Sequence, residues 1–553
     1  MIQQLKDNLR EEIKNAVLAS GLLEDREAIN VILENPKDAS HGDYSTNVAM
    51  QLTKIARKAP KVIAEAIIEN FQNEAAEVEK VEIAGPGFIN FFMKKEALTQ
   101  SVKTVLDLGD DFGKSQAGNG LKYNVEYVSA NPTGDLHLGH ARGAAIGDSI
   151  SRILQAAGYD VTREYYVNDA GNQINNLVIS AYTRYLQALG MEAQMPEDGY
   201  HGPDIISLGK LMAENYQGKF VDKFTESYQE IREISLRFEL DKIKADLQAF
   251  GVEFDLYTSE QALYDQDLVK KSIDLLSEKG YIYEKDGASW LRSTDFGDDK
   301  DRVLQKSDGS FTYLTPDVAN HIEKLKRGND KLIDIWGADH HGYIARVKAA
   351  MQALGQEADK LEVDIIQMVR LIKDGQEFKM SKRTGKAVTI RDLIEEVGVD
   401  ATRYFFAMRS GETQMDFDLN LATEQSNANP VYYAQYAHAR MCSLLRQAEE
   451  KGFKAVKQDE YPLLEGEKTY EVIKLMGEFP SLIADAALKR KPHLICNFLN
   501  EFATAFHSFY SAEKILDESN LEKSNEKLAL VTAAKITIKN ALYLIGVSAP
   551  EKM

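Results

Sequence analysis

The chain has 553 residues, a formal net charge of -20, and 44% hydrophobic and 27% charged residues. That length exceeds one hydrophobic core, so several domains are expected, and the composition is that of a water-soluble globular protein. No apolar run reaches the roughly 18–20 residues of a membrane span, the N-terminal stretch carries no secretory apolar region, and two cysteines, Cys442 and Cys496, exclude a disulfide framework and a cysteine-built zinc site.

The cytosol is the expected compartment. The acidic balance argues against a nucleic-acid partner only as a global sum, because phosphate binding depends on local basic patches. Candidates are Lys54, Arg57, Lys58 and Lys61; Lys379, Lys382, Arg383 and Lys386; and Lys489, Arg490 and Lys491. Each is equally an ordinary solvated face.

Residues 1–110 are predicted to form an α+β unit. Ile2, Leu5, Leu9, Ile13 and Val17 recur at helical spacing, a polar turn follows at 35–38, and a short alternating strand, Val81 to Ile83, is closed by Gly85-Pro86-Gly87. From about 120 the pattern becomes strand, helix, strand. Tyr123 to Val128 is a buried strand, and Ile146, Ile150, Ile153 and Ala157 follow at helical spacing. Gly158 stops that helix, and Val161 to Val167 is the next strand. This is the βαβ unit of a doubly wound parallel sheet. Residues 175–275 read as a charged helical insertion. Strands return at Leu332–Trp336 and Asp364–Ile372, and 411–553 is predicted to be an all-α bundle.

Two strings carry chemistry. His137-Leu138-Gly139-His140 lies where a parallel strand gives way to a helix, so backbone N–H groups and a helix dipole face any bound anion. Two histidines can donate to phosphate oxygens, and Gly139 lets a nucleotide approach closely. The second string, Phe378-Lys379-Met380-Ser381-Lys382, follows a tight-turn signal at Lys373-Asp374-Gly375 and precedes a helix near Thr389. Two lysines three apart suit a triphosphate. Taken singly, neither string is specific. A histidine pair often has structural reasons, and a solvated basic loop explains the second string as well.

In this order, with a long insertion between them, the two strings resemble the paired signatures of class I aminoacyl-tRNA synthetases. Further strings narrow the resemblance to arginyl-tRNA synthetases: Val125 to Gly134, Lys306-Ser307-Asp308-Gly309 through Tyr313 and Asp317, Trp336 to Gly342, Asn429 to Arg440, and the C-terminal Ala549 to Met553. The similarity spans essentially the whole chain. It implies a Rossmann-like catalytic domain at 111–370, a KMSK-loop and stem-contact region at 371–410, an N-terminal domain at 1–110 that touches the tRNA elbow, and a C-terminal anticodon-binding bundle at 411–553.

The resemblance also implies roles. His137 and His140 would donate to ATP phosphates, with Gly139 and Met380 lining the nucleotide site. Lys382 and Lys379 would neutralise the departing pyrophosphate together with Mg²⁺ bound to ATP, and no structural metal is expected. Glu126, Tyr313 and Asp317 would form the arginine pocket, since a planar guanidinium calls for buried carboxylates, and Asn131 and His341 would hold the α-amino and carboxylate end. Asp317 is equally a helix cap after Thr315-Pro316. The family often carries tyrosine where Asn320 stands. Phe88 and Asn90 would read the tRNA elbow, and Tyr436, Arg440, Tyr510 and Met553 the anticodon; each aromatic is equally core packing. The family favours a monomer and a requirement for tRNA in arginine activation.

Three alternatives differ in class, and a fourth, the serious rival, stays within the synthetases. A cofactor adenylyltransferase shares the HxGH element but is much shorter and lacks the helical C-terminal domain. A non-catalytic tRNA-binding relative predicts a damaged signature, whereas His137, His140 and Lys382 are intact. A nicotinamide oxidoreductase predicts G-x-G-x-x-G at the βα turn, which is missing. A synthetase for another amino acid shares both ATP strings, which do not specify the side chain.

Overall fold

The computed structural model describes residues 2–36, 39–378 and 388–553. The helix Ile2–Ala19 buries Ile2, Leu5, Leu9, Ile13 and Val17, the positions its periodicity predicts. Strands β1 (Tyr44–Thr46), β2 (Val78–Ala84) and β3 (Phe88–Met93) form an antiparallel sheet in the order β1-β3-β2. Gly85-Pro86-Gly87 turns β2 into β3. Strand β3 eludes a period-two search because Phe-Ile-Asn-Phe-Phe-Met is covered on both faces.

The central sheet is parallel: β4 (Lys122–Glu126), β5 (Asp160–Val167), β6 (Leu256–Ser259), β10 (Lys331–Gly337) and β11 (Leu361–Ile366), in the order β11-β10-β4-β5-β6. The chain winds outward from β4 to β6, then crosses back to β10 on the other side of β4. That reversal opens a crevice beyond the carboxyl ends of β4 and β10, where ligands of such sheets bind. The helix Leu138–Ala156 packs on the sheet closely enough that a Cβ on Gly147 would lie 2.4 Å from the Tyr127 ring. Between β6 and β10, β7 (Ile282–Lys285), β8 (Ala288–Leu291) and β9 (Arg302–Gln305) form a small antiparallel sheet.

Three expectations are corrected. The stretch 175–275 contains the helices Asn172–Ala188, Pro203–Tyr216 and Phe224–Ala249, but also β6, a four-residue strand too short and polar to show a pattern. The single strand expected over Asp364–Ile372 is two. β11 ends at Ile366, and β12 (Val369–Lys373) pairs with β13 (Gln376–Glu377) and β14 (Met415–Asp418) in another sheet. β14 lies in the stretch expected to be wholly helical. The turn at Asp374-Gly375 is as predicted: both residues have positive φ, 53° and 73°, as a two-residue hairpin turn requires.

Four long helices, Pro430–Glu450, Glu467–Lys489, His493–Ala512 and Leu521–Leu544, build the C-terminal bundle. It shares one apolar core with the catalytic sheet and the N-terminal unit. Fully buried Arg403 ties these layers together. Its guanidinium pairs with Asp148 of the helix Leu138–Ala156 and donates to the Ile545 carbonyl at 3.1 Å and the Phe250 carbonyl at 3.2 Å.

Candidate active site

A cleft of about 1220 Å³ opens at the carboxyl ends of β4 and β10. At one end stands the histidine string. His137 is the N-cap of the helix Leu138–Ala156: its Nδ1 accepts from the Gly139 N–H at 3.1 Å, and the His140 Nδ1 accepts from the His137 N–H at 3.2 Å. This reciprocal cap occupies both Nδ1 atoms, so in the neutral rings the proton resides on Nε2 of each. The rings stack with centroids 3.7 Å apart. Burial, and after it the neighbouring His137, lower the His140 pKa to about 3. Burial also lowers His137, against the opposing charge of Asp339. Both rings are therefore neutral Nε2–H donors at the positive end of a helix, an arrangement suited to phosphate oxygens.

The opposite wall is held by Arg142, fully buried, which donates to the Gln367 carbonyl at 2.7 Å, Thr413 at 2.9 Å and Ser410 at 2.9 Å. Ile366 to Leu371 line the cleft from that wall. The Ile390 N–H donates to the Leu136 carbonyl at 2.8 Å, which joins the segment after the second string to the loop before the first. Lys379, Met380 and Lys382, with Ser381, Arg383 and Lys386, lie outside the described residues.

The other end of the cleft is acidic. Beyond β4 the backbone enters a left-handed conformation at Val128 (φ 67°) and Ser129 (φ 40°), costly for a β-branched residue. The Ser129 hydroxyl holds this turn: it donates to Glu126 at 3.0 Å and accepts from the Tyr166 N–H at 3.0 Å. Buried Lys324 donates to Glu126 Oε2 at 2.6 Å and Asp334 Oδ1 at 3.0 Å. Burial raises the Glu126 pKa and the Lys324 ammonium opposes the rise. His321 donates through Nε2 to Asp334 (2.7 Å) and through Nδ1 to the Asp317 carbonyl (2.6 Å). Burial would depress its pKa, but Asp334 outweighs burial and raises it; each ring nitrogen faces an acceptor oxygen.

Asp317 is no mere cap. It sits inside the helix Leu314–Lys326, its carboxylate accepts from the Tyr343 hydroxyl at 2.5 Å, and burial raises its pKa. Glu260, which the sequence search missed, lines the same cleft. It is the first residue after β6, and burial, reinforced by Asp317, pushes its carboxyl up to about 7. A strand of four residues gave no pattern that could have flagged it.

Tyr313 lines the cleft mouth and is 79% exposed. Asn131 also lines it, with its amide on Gln173 Oε1 at 2.8 Å. His341 is not brought into the cleft. It is exposed on the turn Ala338–Tyr343, whose cleft-lining members are Ala338, Asp339, His340, Gly342 and Tyr343.

Comparison with known proteins decides the family. The model for "tRNA synthetases class I (R), catalytic domain" matches residues 101–443, the arginyl tRNA synthetase N terminal domain matches 3–93, and the DALR anticodon binding domain matches 434–553. The chain is 58% identical over 552 residues to arginine–tRNA ligase of Bacillus subtilis, covering 100% of this chain and 99% of that one. It is 59% identical over 555 residues to that of Anoxybacillus flavithermus, covering 100% of both. The chain belongs to the arginyl-tRNA synthetase family. Its fold is also that of the Thermus thermophilus arginyl-tRNA synthetase, with a TM-score of 0.74 at 22% identity over 99% of this chain and 100% of that one.

Within this synthetase fold, the residues expected to meet tRNA divide. Tyr436, Arg440 and Tyr510 form one cluster. Arg440 donates to the Tyr436 hydroxyl at 2.6 Å and lies 4.6 Å and 5.1 Å from the ring centroids of Tyr436 and Tyr510. His507 and Tyr432, not foreseen, join it: His507 Nδ1 meets Arg440 at 3.1 Å, and Tyr432 stacks on Tyr436 at 6.0 Å. Met553 is exposed at the end of a tail that His438 holds through the Pro550 carbonyl at 2.9 Å. In the N-terminal sheet, Phe88 is half-buried. Asn90 is not on the surface: it is 3% exposed and its Oδ1 accepts from Ser45 at 2.8 Å, so the amide is engaged within the sheet.

Proposed function

We propose that this cleft activates L-arginine on the residues assigned here. The reaction is arginine–tRNA ligation: ATP and arginine form arginyl-adenylate and pyrophosphate, and the arginyl group then passes to the 3′ end of arginine tRNA with release of AMP. The observation that carries the assignment is the pair of buried carboxylates, Glu260 and Asp317, each with a raised pKa and no basic side chain hydrogen-bonded to it among the described residues. Two acids left short of a cation are complementary to a guanidinium, which supplies charge and planar donors together.

At the other end, the Nε2–H groups of His137 and His140 donate to phosphate oxygens as charge builds, with the helix N-terminus behind them. Gly139 and Met380 line the nucleotide. Lys379 and Lys382 stabilise the leaving pyrophosphate. Mg²⁺ would enter with ATP and supply charge to the phosphates; the exposed Asp339 carboxylate, whose charge opposes the lowering of the His137 pKa, is a hard oxygen donor that could hold it. The arginine backbone meets Asn131 and Glu126, with Tyr313 over the mouth, and His341 takes part only through movement of its turn. Tyr436, Arg440, Tyr510 and Met553 contact the anticodon loop, and Phe88 the elbow; Asn90 positions β3 and β1. We assign 1–110, 111–370, 371–410 and 411–553 as the four functional regions. No described helix is long and apolar enough to cross a membrane, and we assign the enzyme to the cytosol as a monomer.

The test is pyrophosphate–ATP exchange with each amino acid in turn, run with arginine tRNA. Only arginine should support exchange, and omission of tRNA should return the rate to background. Exchange driven by another amino acid would overturn the substrate assignment.

A further inference from the structure

Asn320 lies on the helix Leu314–Lys326, three residues after Asp317, and lines the cleft. Residues three apart share a helix face, so Asn320 and Asp317 present to the same space. Its side chain is 3% exposed, and its Oδ1 is fully buried with no hydrogen-bond partner among the described residues. Buried polar atoms are nearly always paired, and an unpaired acceptor costs free energy that something must offset. Nearby cleft groups do not satisfy it. Lys324, one turn further on, is taken by Glu126 and Asp334, and His321 by Asp334 and the Asp317 carbonyl. The Tyr343 hydroxyl goes to Asp317. The buried Tyr166 hydroxyl interacts with the Glu260 carboxyl.

We propose that Asn320 Oδ1 is a specificity-determining acceptor for one N–H of the substrate guanidinium, completing the set begun by Glu260 and Asp317. The inference rests on the assignment of those two carboxylates to the arginine side chain. A guanidinium presents five N–H donors in a plane. Two carboxylates bind its charge, yet a charged group of any shape could satisfy them in part. A neutral acceptor at a fixed third position reads the count and direction of donors rather than the charge. A site whose buried polar groups are left unpaired by the wrong ligand rejects that ligand strongly.

The experiment uses the full-length enzyme with arginine tRNA and two amino acids, L-arginine and Nω-methyl-L-arginine, in which a methyl group replaces one terminal N–H. Variants are Asn320→Leu, of similar volume without an acceptor, and Asn320→Ser, smaller but still an acceptor. A hydrogen bond to a charged partner contributes about 1.5–3 kcal/mol, so Asn320→Leu should raise the KM for arginine roughly tenfold to a hundredfold, with the KM for ATP within twofold of the native value. Its preference for arginine over the methylated analogue should shrink by about tenfold. Asn320→Ser should retain more of that preference than Asn320→Leu. A purely structural role would weaken both amino acids alike and leave the ratio unchanged, and that result overturns the proposal. If Asn320→Leu fails to fold, Asn320→Ala, which also lacks the acceptor, takes its place, an unchanged ratio again being refutation. Asp317→Asn, run in parallel, separates the two levels. If Asp317→Asn raises the arginine KM while the Asn320 variants do not, only the third acceptor is lost. If Asp317→Asn leaves it unchanged, the carboxylate assignment itself fails.

Discussion

Replacing Glu260 by glutamine should make the empty protein more stable and the enzyme worse. In the empty cleft the carboxyl is held near pH 7, against an ordinary value of 4.5, chiefly by burial and then by Asp317. Between those two values the folded state binds more protons than the unfolded state, so stability falls as pH rises through the window, and above pH 7 the whole cost is present. It amounts to roughly 3 kcal/mol at 1.36 kcal/mol per pH unit. Glu260→Gln removes the titrating charge at nearly constant volume, so at pH 8 the empty variant should gain stability up to about that amount and lose the pH dependence. At pH 4 the two proteins should match. The same substitution removes one partner of a buried charge pair with the substrate guanidinium, a loss of roughly 2–5 kcal/mol. The KM for arginine should then rise about thirtyfold to a few thousandfold. The assays are thermal melts at pH 4 and pH 8, with and without saturating arginine, and aminoacylation titrated with arginine. Arginine should raise the native Tm and leave the variant's nearly unmoved. An arginine KM within threefold of native, or an empty variant less stable than native at pH 8, would refute the reasoning.

Three further outcomes are expected. Lys382→Ala should lower the rate of pyrophosphate exchange about 10²–10³-fold with little change in the KM for arginine, because a preorganised charge acts on the developing phosphate charge. Asp148→Asn strands the buried Arg403 guanidinium and should destabilise the folded enzyme by about 3–5 kcal/mol, read as a lowered denaturation midpoint. Arg440→Ala removes the cation between Tyr436 and Tyr510. Base-stacking platforms contribute about 1–3 kcal/mol per base, so the KM for tRNA should rise roughly fivefold to a hundredfold, with kcat and the arginine KM unchanged.

Much of the cleft's nucleotide end was legible in the chain because it is local. His137, Gly139 and His140 act within one helical turn, and a strand-to-helix transition around such a string is visible from hydrophobic spacing alone. The reciprocal cap that fixes their tautomers follows from the same four residues. The acidic end was legible only in part. Asp317 and Tyr313 came with the family's strings, but the helix-cap alternative for Asp317 fell only when its carboxylate was found on Tyr343, 26 residues away. Asn90 was assigned a surface role that the sheet does not permit, since its amide pairs with Ser45, which is 45 residues distant.

By itself the sequence determined the βαβ core, the order of the two ATP strings, the helical C-terminal bundle and the family to which the chain belongs, because each is written in short-range periodicity or in contiguous residue identity. Tertiary structure alone decided that β6 lies in the central sheet, that Glu260 faces Asp317, that Lys324 is shared between Glu126 and Asp334, and that the Oδ1 of Asn320 has no partner among the described residues. Each depends on which groups burial brings together and which it leaves without a counter-charge. Such pairings are set by the crossing of the chain from β6 back to β10, a long-range event with no local signature.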